Sequence, residues 1–282
     1  MKIVSWNVAG LRGFLKKYDL YKFLNDHNVD IICFNETKVR EPIKVKNIDE
    51  AYNSFWCHCT APDRAKYGYS GVAVYVKKGI RVLSYEEEVG KDKEGRTLTL
   101  ELDDFYLVAT YVPNSGRGLP RLGYRTKEWD PLLREHLCRL KAKKEVIWVG
   151  DLNVIRYSED VNPTLRRRRF AGNTREEKES FEETLKEACL TEVRKDGPDC
   201  CPYTYWSFSG NAFATNFGMR LDYCCVTSEL EKRITQVTTL KDEVSGSGEC
   251  CLAKDQKRSS DHAPVLIVLS EPCEDEGGDG DE

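Results

Sequence analysis

Val146-Ile147-Trp148-Val149-Gly150-Asp151-Leu152-Asn153 carries the main clue to the architecture. Four consecutive apolar residues leave no polar face, as expected of a strand covered on both sides. The run stops at a carboxylate and an amide two residues apart. Ile31-Ile32-Cys33-Phe34 repeats the pattern and stops at Asn35-Glu36. Working outward, strand-like runs fall at 2–8, 30–35, 54–60, 71–77, 97–102, 105–112, 145–150, 221–227, 234–240 and 264–269. Three segments have helical periodicity. Residues 15–28 align Leu20, Phe23 and Leu24; residues 126–142 align Trp129, Leu132, Leu133, Leu137 and Leu140; residues 175–190 turn Phe181, Leu185 and Ala188 inward. Thr174 with Glu177 forms a capping box ahead of the third. Many strands, scattered helices and no linker argue for one layered α/β domain over residues 1–270. Residues 242–259 read as a long surface loop, and the acidic, Gly-rich tail 271–282 as disordered.

Composition narrows the class. No run of eighteen apolar residues exists, so no transmembrane helix is expected. Met1-Lys2-Ile3-Val4-Ser5-Trp6 reads as a strand and not as a secretory leader. Six of the twelve cysteines sit in adjacent pairs, at 200–201, 224–225 and 250–251, and none forms a Cys-x-x-Cys unit. Cys57-His58-Cys59 alternates along an apparent strand, which sends its side chains to opposite faces. Free thiols in a reducing compartment are therefore expected, and not a zinc site. The net charge of −4 is set by the tail, whose twelve residues hold seven acids; the remainder carries 43 basic against 40 acidic residues. A polyanionic partner is compatible with that balance. Arg166, Arg167, Arg168 and Arg169 form the densest basic run, a solvated loop if nothing more.

Polar residues recur at strand ends. Asn7 ends the first strand, Glu36 follows the second, Asp151 and Asn153 follow the 145–150 run, Asp222 enters the 221–227 run, and Asp261-His262 precede the last. Strand ends are where layered α/β proteins build rigid sites. An isolated Asp after a strand caps a turn, and an isolated His is ordinarily structural. Six such positions with these neighbours are much harder to dismiss.

Seven segments resemble the exonuclease III/AP endonuclease family of the endonuclease–exonuclease–phosphatase superfamily. They are Ser5-Trp6-Asn7-Val8-Ala9-Gly10-Leu11-Arg12, Asn35-Glu36-Thr37-Lys38, Gly68-Tyr69-Ser70-Gly71, Tyr111-Val112-Pro113-Asn114-Ser115-Gly116-Arg117-Gly118, Gly150-Asp151-Leu152-Asn153-Val154, Arg220-Leu221-Asp222-Tyr223 and Ser260-Asp261-His262-Ala263-Pro264. They occur in the family's order and span nearly all of residues 1–270. The resemblance implies a DNase I-like, four-layered α-β-β-α sandwich of two packed mixed sheets. It implies Mg²⁺ as cofactor, with Mn²⁺ as a substitute, and double-stranded DNA with abasic sites as partner. It implies cleavage 5′ to the abasic site to leave a 3′-hydroxyl, with 3′-5′ exonuclease and 3′-phosphodiesterase activity alongside, in a monomeric protein; that function suggests the nucleus if the source is eukaryotic.

Phosphodiester hydrolysis needs charge neutralisation on phosphate oxygens, an activated water and help for the leaving oxygen. By the resemblance, Glu36 and Asp261 hold the metal. Asn7 stands beside them as ligand or hydrogen-bond donor, and Asp151, Asn153 and His262 complete the neighbourhood. Asp151 orients or deprotonates the water, with base versus ligand left open. Asn153 holds that water or a phosphate oxygen. His262 donates to a phosphate oxygen with Asp222 fixing its tautomer. Tyr111 donates to the phosphate or leaving group. Arg12, Lys17, Lys38 and Tyr69 match backbone-contacting positions, Arg117 a position beside the lesion, and Tyr205, Met219 and Leu221 the abasic pocket.

The chain departs from the pattern in places. Ala9 stands where many relatives have a carboxylate or amide, so weaker metal affinity is expected. Asn35 replaces a Gln, and Met219 a Trp, which leaves a slimmer but apolar pocket wall. Residues 162–173 offer arginines and Phe170 where relatives place asparagines; arginines suit phosphate contacts. Val4 occupies the place of a first-strand cysteine credited with a redox role in some relatives, so none is expected. A hydrolase for inositol phosphates, sphingomyelin or RNA tails would share the Glu, Asp-x-Asn and Asp-His elements. Residues 111–118, Glu36-Thr37-Lys38 and the Trp6-to-Arg12 segment favour DNA. A binding module without catalysis would not need all six polar positions intact.

Overall fold

The computed structural model describes residues 1–64, 68–194, 202–245 and 258–271. In chain order the elements are β1 (Lys2–Asn7), α1 (Leu11–Leu15), α2 (Leu20–Asp26), β2 (Ile31–Asn35), β3 (Tyr52–Cys57), β4 (Val72–Lys77), β5 (Ser84–Glu87), β6 (Thr97–Glu101) and β7 (Phe105–Tyr111). There follow α3 (Leu122–Tyr124), a π-helical turn (Arg125–Trp129), α4 (Asp130–Lys141), β8 (Glu145–Asp151), α5 (Arg175–Glu187), β9 (Thr191–Glu192), β10 (Asp222–Val226), α6 (Ser228–Arg233), β11 (Ile234–Thr239) and β12 (Val265–Leu269).

The strands form two six-stranded sheets, ordered β11-β12-β1-β2-β4-β3 and β5-β6-β7-β8-β10-β9. Their facing surfaces pack into one core, in which Ile31 and Cys33 of one sheet share a cluster with Ile147 and Val149 of the other. Alternate residues face outward. Ile32 and Phe34 meet Phe14, Leu20 and Phe23 of the first helices, and Val146 and Trp148 meet Leu133, Leu137 and Phe181 of α4 and α5. Consecutive apolar residues in β2 and β8 are thus explained: both faces of each sheet are covered, giving an α-β-β-α sandwich. Each sheet is mixed around one central parallel pair, β1 with β2 and β7 with β8.

Every expected strand is present. β5 and β9 were not anticipated, because β5 is fully exposed and has no apolar alternation, and β9 is two residues long. The helix expected over 15–28 is shorter and starts later, as α2 from Leu20 to Asp26. α1 precedes it and ends at Leu15, and Asp19 caps α2 by accepting from the Lys22 amide. Leu132 is 37 % exposed, a correction to the inward face read for it; Trp129, Leu133, Leu137 and Leu140 are buried, a stripe that excludes it. The capping box of Thr174 and Glu177 on α5 is formed. Residues 241–245 form a 3-10 turn, whereas 246–257, 200–201, 250–251 and the tail from 272 lie outside the described residues. Cys57 and Cys59 are buried free thiols, as are Cys224 and Cys225. Among the described residues, no helix is long and apolar enough to cross a membrane.

Candidate active site

Topology brings the polar strand ends together. In each sheet the parallel pair delivers two C-terminal ends to the same edge: Asn7 opposite Asn35 in one, Tyr111 opposite Asp151 in the other. β10 runs antiparallel to β8 and begins with Asp222 paired to Asp151. β12 runs antiparallel to β1, so Asp261 and His262, just before it, lie at that edge too. Gly150 makes the last step possible. Its φ is +141° and a Cβ there would fall 1.9 Å from the Thr110 carbonyl oxygen, so only glycine lets β8 approach β7 this closely before Asp151.

Hydrogen bonds join the two sheets at this edge. Asn7 Nδ2 donates to Glu36 Oε1 at 3.0 Å and to Asp151 Oδ2 at 2.9 Å. Asn35 Nδ2 donates to the Thr110 carbonyl at 3.0 Å, and its Oδ1 accepts from the Asp151 amide at 3.3 Å. Asp151 Oδ1 accepts from the Asn153 amide at 3.0 Å. Asn153 Nδ2 donates to the Val112 carbonyl at 2.9 Å, while its Oδ1 accepts from Asn114 at 2.8 Å. The amide of Asn153 thus ties loops together and keeps one donor hydrogen for a further partner. His262 Nδ1 lies 2.8 Å from Asp222 Oδ2, and its Nε2 lies 3.7 Å from Asp151 Oδ2. Ser260 Oγ donates to the Asn7 carbonyl at 2.6 Å and accepts from the His262 amide at 3.1 Å, which docks the Asp261-His262 turn onto β1.

The electrostatics follow from burial and neighbours. Burial raises the pKa of Asp151 to about 7, with Asp222 and Glu36 adding repulsion against the opposing pull of His262. Burial alone would strip His262 of its proton, but Asp222 and Asp151 outweigh it and push the imidazole to about 10. Glu36 goes the other way. Burial opposes ionisation, yet the Lys38 ammonium and hydrogen bonds from Asn7, Lys38 and Tyr111 hold its carboxyl below the ordinary range. Asp261 is raised, first by burial and then by Glu36. Burial and the nearby Glu36 push the Tyr111 phenol well above its usual value, so it stays a donor.

Can this set hold Mg²⁺? Glu36 is ionised, partly open to solvent, and already holds a cation, the Lys38 ammonium 2.8 Å from Oε2. The donors on offer are oxygens: Glu36, Asp261 and the Asn7 amide. Among the described residues no three His, Cys, Asp or Glu side chains close into a cage. Oxygen donors of this kind suit a hard cation bound through one or two carboxylates that keeps several waters. The residues fit Mg²⁺.

The expected DNA-contacting residues fall in several places. Arg12 and Arg117 are exposed. Lys17 reaches the Arg258 carbonyl at 3.4 Å. The Tyr69 hydroxyl accepts from Arg96 Nη2 at 2.9 Å and Arg121 Nη1 at 2.8 Å, which leaves its own proton to donate outward. Tyr205, Met219 and Leu221 share one apolar cluster with Phe170, Leu165 and Ile155. The Tyr205 ring lies 4.9 Å from the imidazole of His262, so this apolar wall adjoins the polar cluster. A cleft of about 490 Å³ opens beside it, between Asn114, Gly116, Arg117, Gly118 and Leu119 on one side and Arg169, Phe170 and Ala171 on the other. Arg169 is paired with Glu176.

Sequence reading missed several supports. Arg96 is fully buried, lies 4.8 Å over the Tyr111 ring and donates to the Tyr111 carbonyl at 2.9 Å. Glu94 holds Arg96, Arg121 and Arg64 around Tyr69. Thr204 Oγ1 accepts from the Leu221 and Asp222 amides, at 2.9 and 3.1 Å. The Glu94-Gly95-Arg96 spacing ahead of a strand was the one available hint; Thr204 offered none.

Known proteins resemble this chain over nearly its whole length. The Endonuclease/Exonuclease/phosphatase family profile matches residues 4–262. A zebrafish (Danio rerio) protein named DNA repair nuclease APEX1 is 39 % identical over 277 residues, covering 96 % of this chain and 82 % of that protein. An exodeoxyribonuclease of Bacillus subtilis is 36 % identical over 96 % of this chain and all of its own length. The crystal structure of an AP endonuclease from Leishmania major superposes with a TM-score of 0.75 at 29 % identity, covering 96 % of this chain and 88 % of that one.

Proposed function

Since the chain belongs to the endonuclease/exonuclease/phosphatase family, we propose that it is a Mg²⁺-dependent AP endonuclease that hydrolyses the DNA phosphodiester 5′ to an abasic site. The observation that carries the reading is the convergence of Asn7, Glu36, Tyr111, Asp151 and the Asp222–His262 pair at one sandwich edge. An apolar wall suited to a base-less sugar stands beside it. 3′-5′ exonuclease and 3′-phosphodiesterase activity use the same centre. If the source is eukaryotic, a DNA substrate puts the work in the nucleus.

Glu36 and Asp261 would hold Mg²⁺, with Asn7 beside them; the ion, when bound, neutralises charge on the scissile phosphate. Asp151 Oδ2, whose proton affinity is raised toward neutrality, takes a proton from the attacking water. His262 stays protonated through Asp222 and presents Nε2–H to a nonbridging oxygen. Tyr111 donates its phenolic proton to the phosphate or the leaving oxygen. Asn153 orients the water through its remaining amide hydrogen. Arg12, Lys17, Lys38 and Tyr69 hold flanking phosphates, Arg117 stands beside the lesion, and Tyr205, Met219 and Leu221 receive the sugar.

A duplex with a single abasic site tests the reading. Incubation with Mg²⁺ should produce one nick on the 5′ side with a 3′-hydroxyl, and EDTA should abolish it. A duplex that stays intact with Mg²⁺ while an inositol phosphate, sphingomyelin or poly(A) is hydrolysed would sink the assignment.

A further inference from the structure

One ion pair near the site never reaches solvent. Arg125 is 2 % exposed and Glu177 0 %, with Nη1 3.2 Å from Oε1. Buried pairs add little stability over apolar residues of the same volume, so their other bonds deserve scrutiny. Arg125 Nη1 donates to the Asn153 carbonyl, and Nη2 to the Leu152 carbonyl at 2.8 Å. Glu177 accepts from Ser115 Oγ at 2.6 Å, the Gly172 amide at 2.8 Å, and Thr174 at its amide (3.1 Å) and hydroxyl (2.7 Å). Three separate segments therefore meet at one pair: the end of β8 with Asp151 and Asn153, the loop at 114–119, and the loop at 169–174. The last two are the walls of the 490 Å³ cleft. Arg125 also opens the π-helical turn Arg125–Trp129, a local irregularity that recurs at functional sites.

We propose that Arg125 and Glu177 are positioning residues of the catalytic centre, holding the Asp151–Asn153 turn in register with both walls of the cleft. Neither reaches substrate. They act through backbone carbonyls, Ser115 and Gly172, and so set where Asp151 and the Asn114–Asn153 amide pair stand. The proposal rests on the phosphodiesterase reading of the site.

The test compares cleavage of an abasic duplex at saturating Mg²⁺ by the wild type, by Arg125→Met/Glu177→Leu and by Ser115→Ala. The apolar pair keeps the volume and removes only the bonds. Its melting temperature should fall, because the Leu152 and Asn153 carbonyls, Ser115, Gly172 and Thr174 lose buried partners. Rates are therefore scaled to the folded fraction, and the scaled kcat should fall about 100-fold, the scale of an ångström misplacement. KM should move by less than about threefold, because substrate contacts remain. Ser115→Ala should lower kcat about fivefold at unchanged KM. A kcat within about twofold of wild type in both variants overturns the proposal, as does a loss that vanishes once rates are scaled to the folded fraction. If the double variant does not fold, Ser115→Ala and Glu177→Gln decide by the same criteria. A wild type that leaves the duplex intact refutes the enzyme reading and not the pair's role. Amide hydrogen exchange then decides the latter: faster exchange confined to 112–119, 151–155 and 169–174 is expected, and unchanged exchange there overturns it.

Discussion

Ala9 follows the β1 end with φ +48°, and its amide donates to Asn7 Oδ1 at 3.0 Å. Aspartate tolerates that backbone region better than most residues. A carboxylate at this position would join Glu36 near the metal. Ala9→Asp should therefore lower the Mg²⁺ concentration for half-maximal nicking by about three- to tenfold, since ligand charge tunes affinity for hard cations. A Mg²⁺ titration of abasic cleavage measures it, and an unchanged midpoint would count against the assigned metal position. At this scale the sequence was informative about residue types and silent about their occupancy. Asn153 is expected to hold the water or a phosphate oxygen, and the fold leaves one amide hydrogen for that, since its side chain also bonds Val112 and Asn114.

Between elements, the contact of β6 with α4 contains a titratable group away from the site. His136 is buried, with Nε2 2.8 Å from Thr99 Oγ1 and Nδ1 2.8 Å from Arg139 Nη2. Arginine only donates, so Nδ1 is the acceptor and the single proton sits on Nε2. Burial, with the neighbouring Arg139, lowers the pKa of His136 to about 4 against the favourable pull of Glu86. The unfolded chain, with an ordinary imidazole near 6.5, binds a proton in the window between them and the folded chain does not. Stability is accordingly full above about pH 6.5 and falls toward pH 4, by about 3 kcal/mol at most from this group. Thermal melts of wild type and His136→Gln from pH 4 to 8 should show a shallower acid slope in the variant; parallel curves would refute the linkage. The strands themselves were legible because two-sided burial forces consecutive apolar residues. β5 was not, because its pairing with β6 rests on backbone bonds that any exposed sequence can make.

Across the whole molecule, charge is distributed unevenly. Most described arginines pair with a carboxylate. The exposed ones that do not, among the described residues, are Arg12, Arg40, Arg117, Arg166, Arg167 and Arg168. Asn173 Nδ2 gathers the carbonyls of Leu165, Arg166 and Arg168, at 3.4, 3.4 and 2.8 Å, which curls this loop inward at its backbone. Replacing Arg166, Arg167 and Arg168 by Ala should weaken DNA binding and flatten its salt dependence. The slope of log K against log salt should drop by about two to three if each cation neutralises one phosphate. Fluorescence anisotropy at several salt concentrations gives that slope, and an identical slope would show the loop to be only a solvated face.

The sequence by itself determined the layered α/β class and the set of carboxylates and amides at strand ends. Those signals depend on neighbours a few residues apart: the apolar run, and the polar residue that stops it. The tertiary structure alone decided how the set works. His262 keeps its proton because Asp222, forty residues earlier, lies 2.8 Å away, and Asp151 shifts toward neutrality because it is buried beside other carboxylates. Tyr111 is seated by Arg96, and Asn153 by Arg125 with Glu177. Proton affinity and side-chain position depend on burial and on partners distant in the chain, and only folding brings those together.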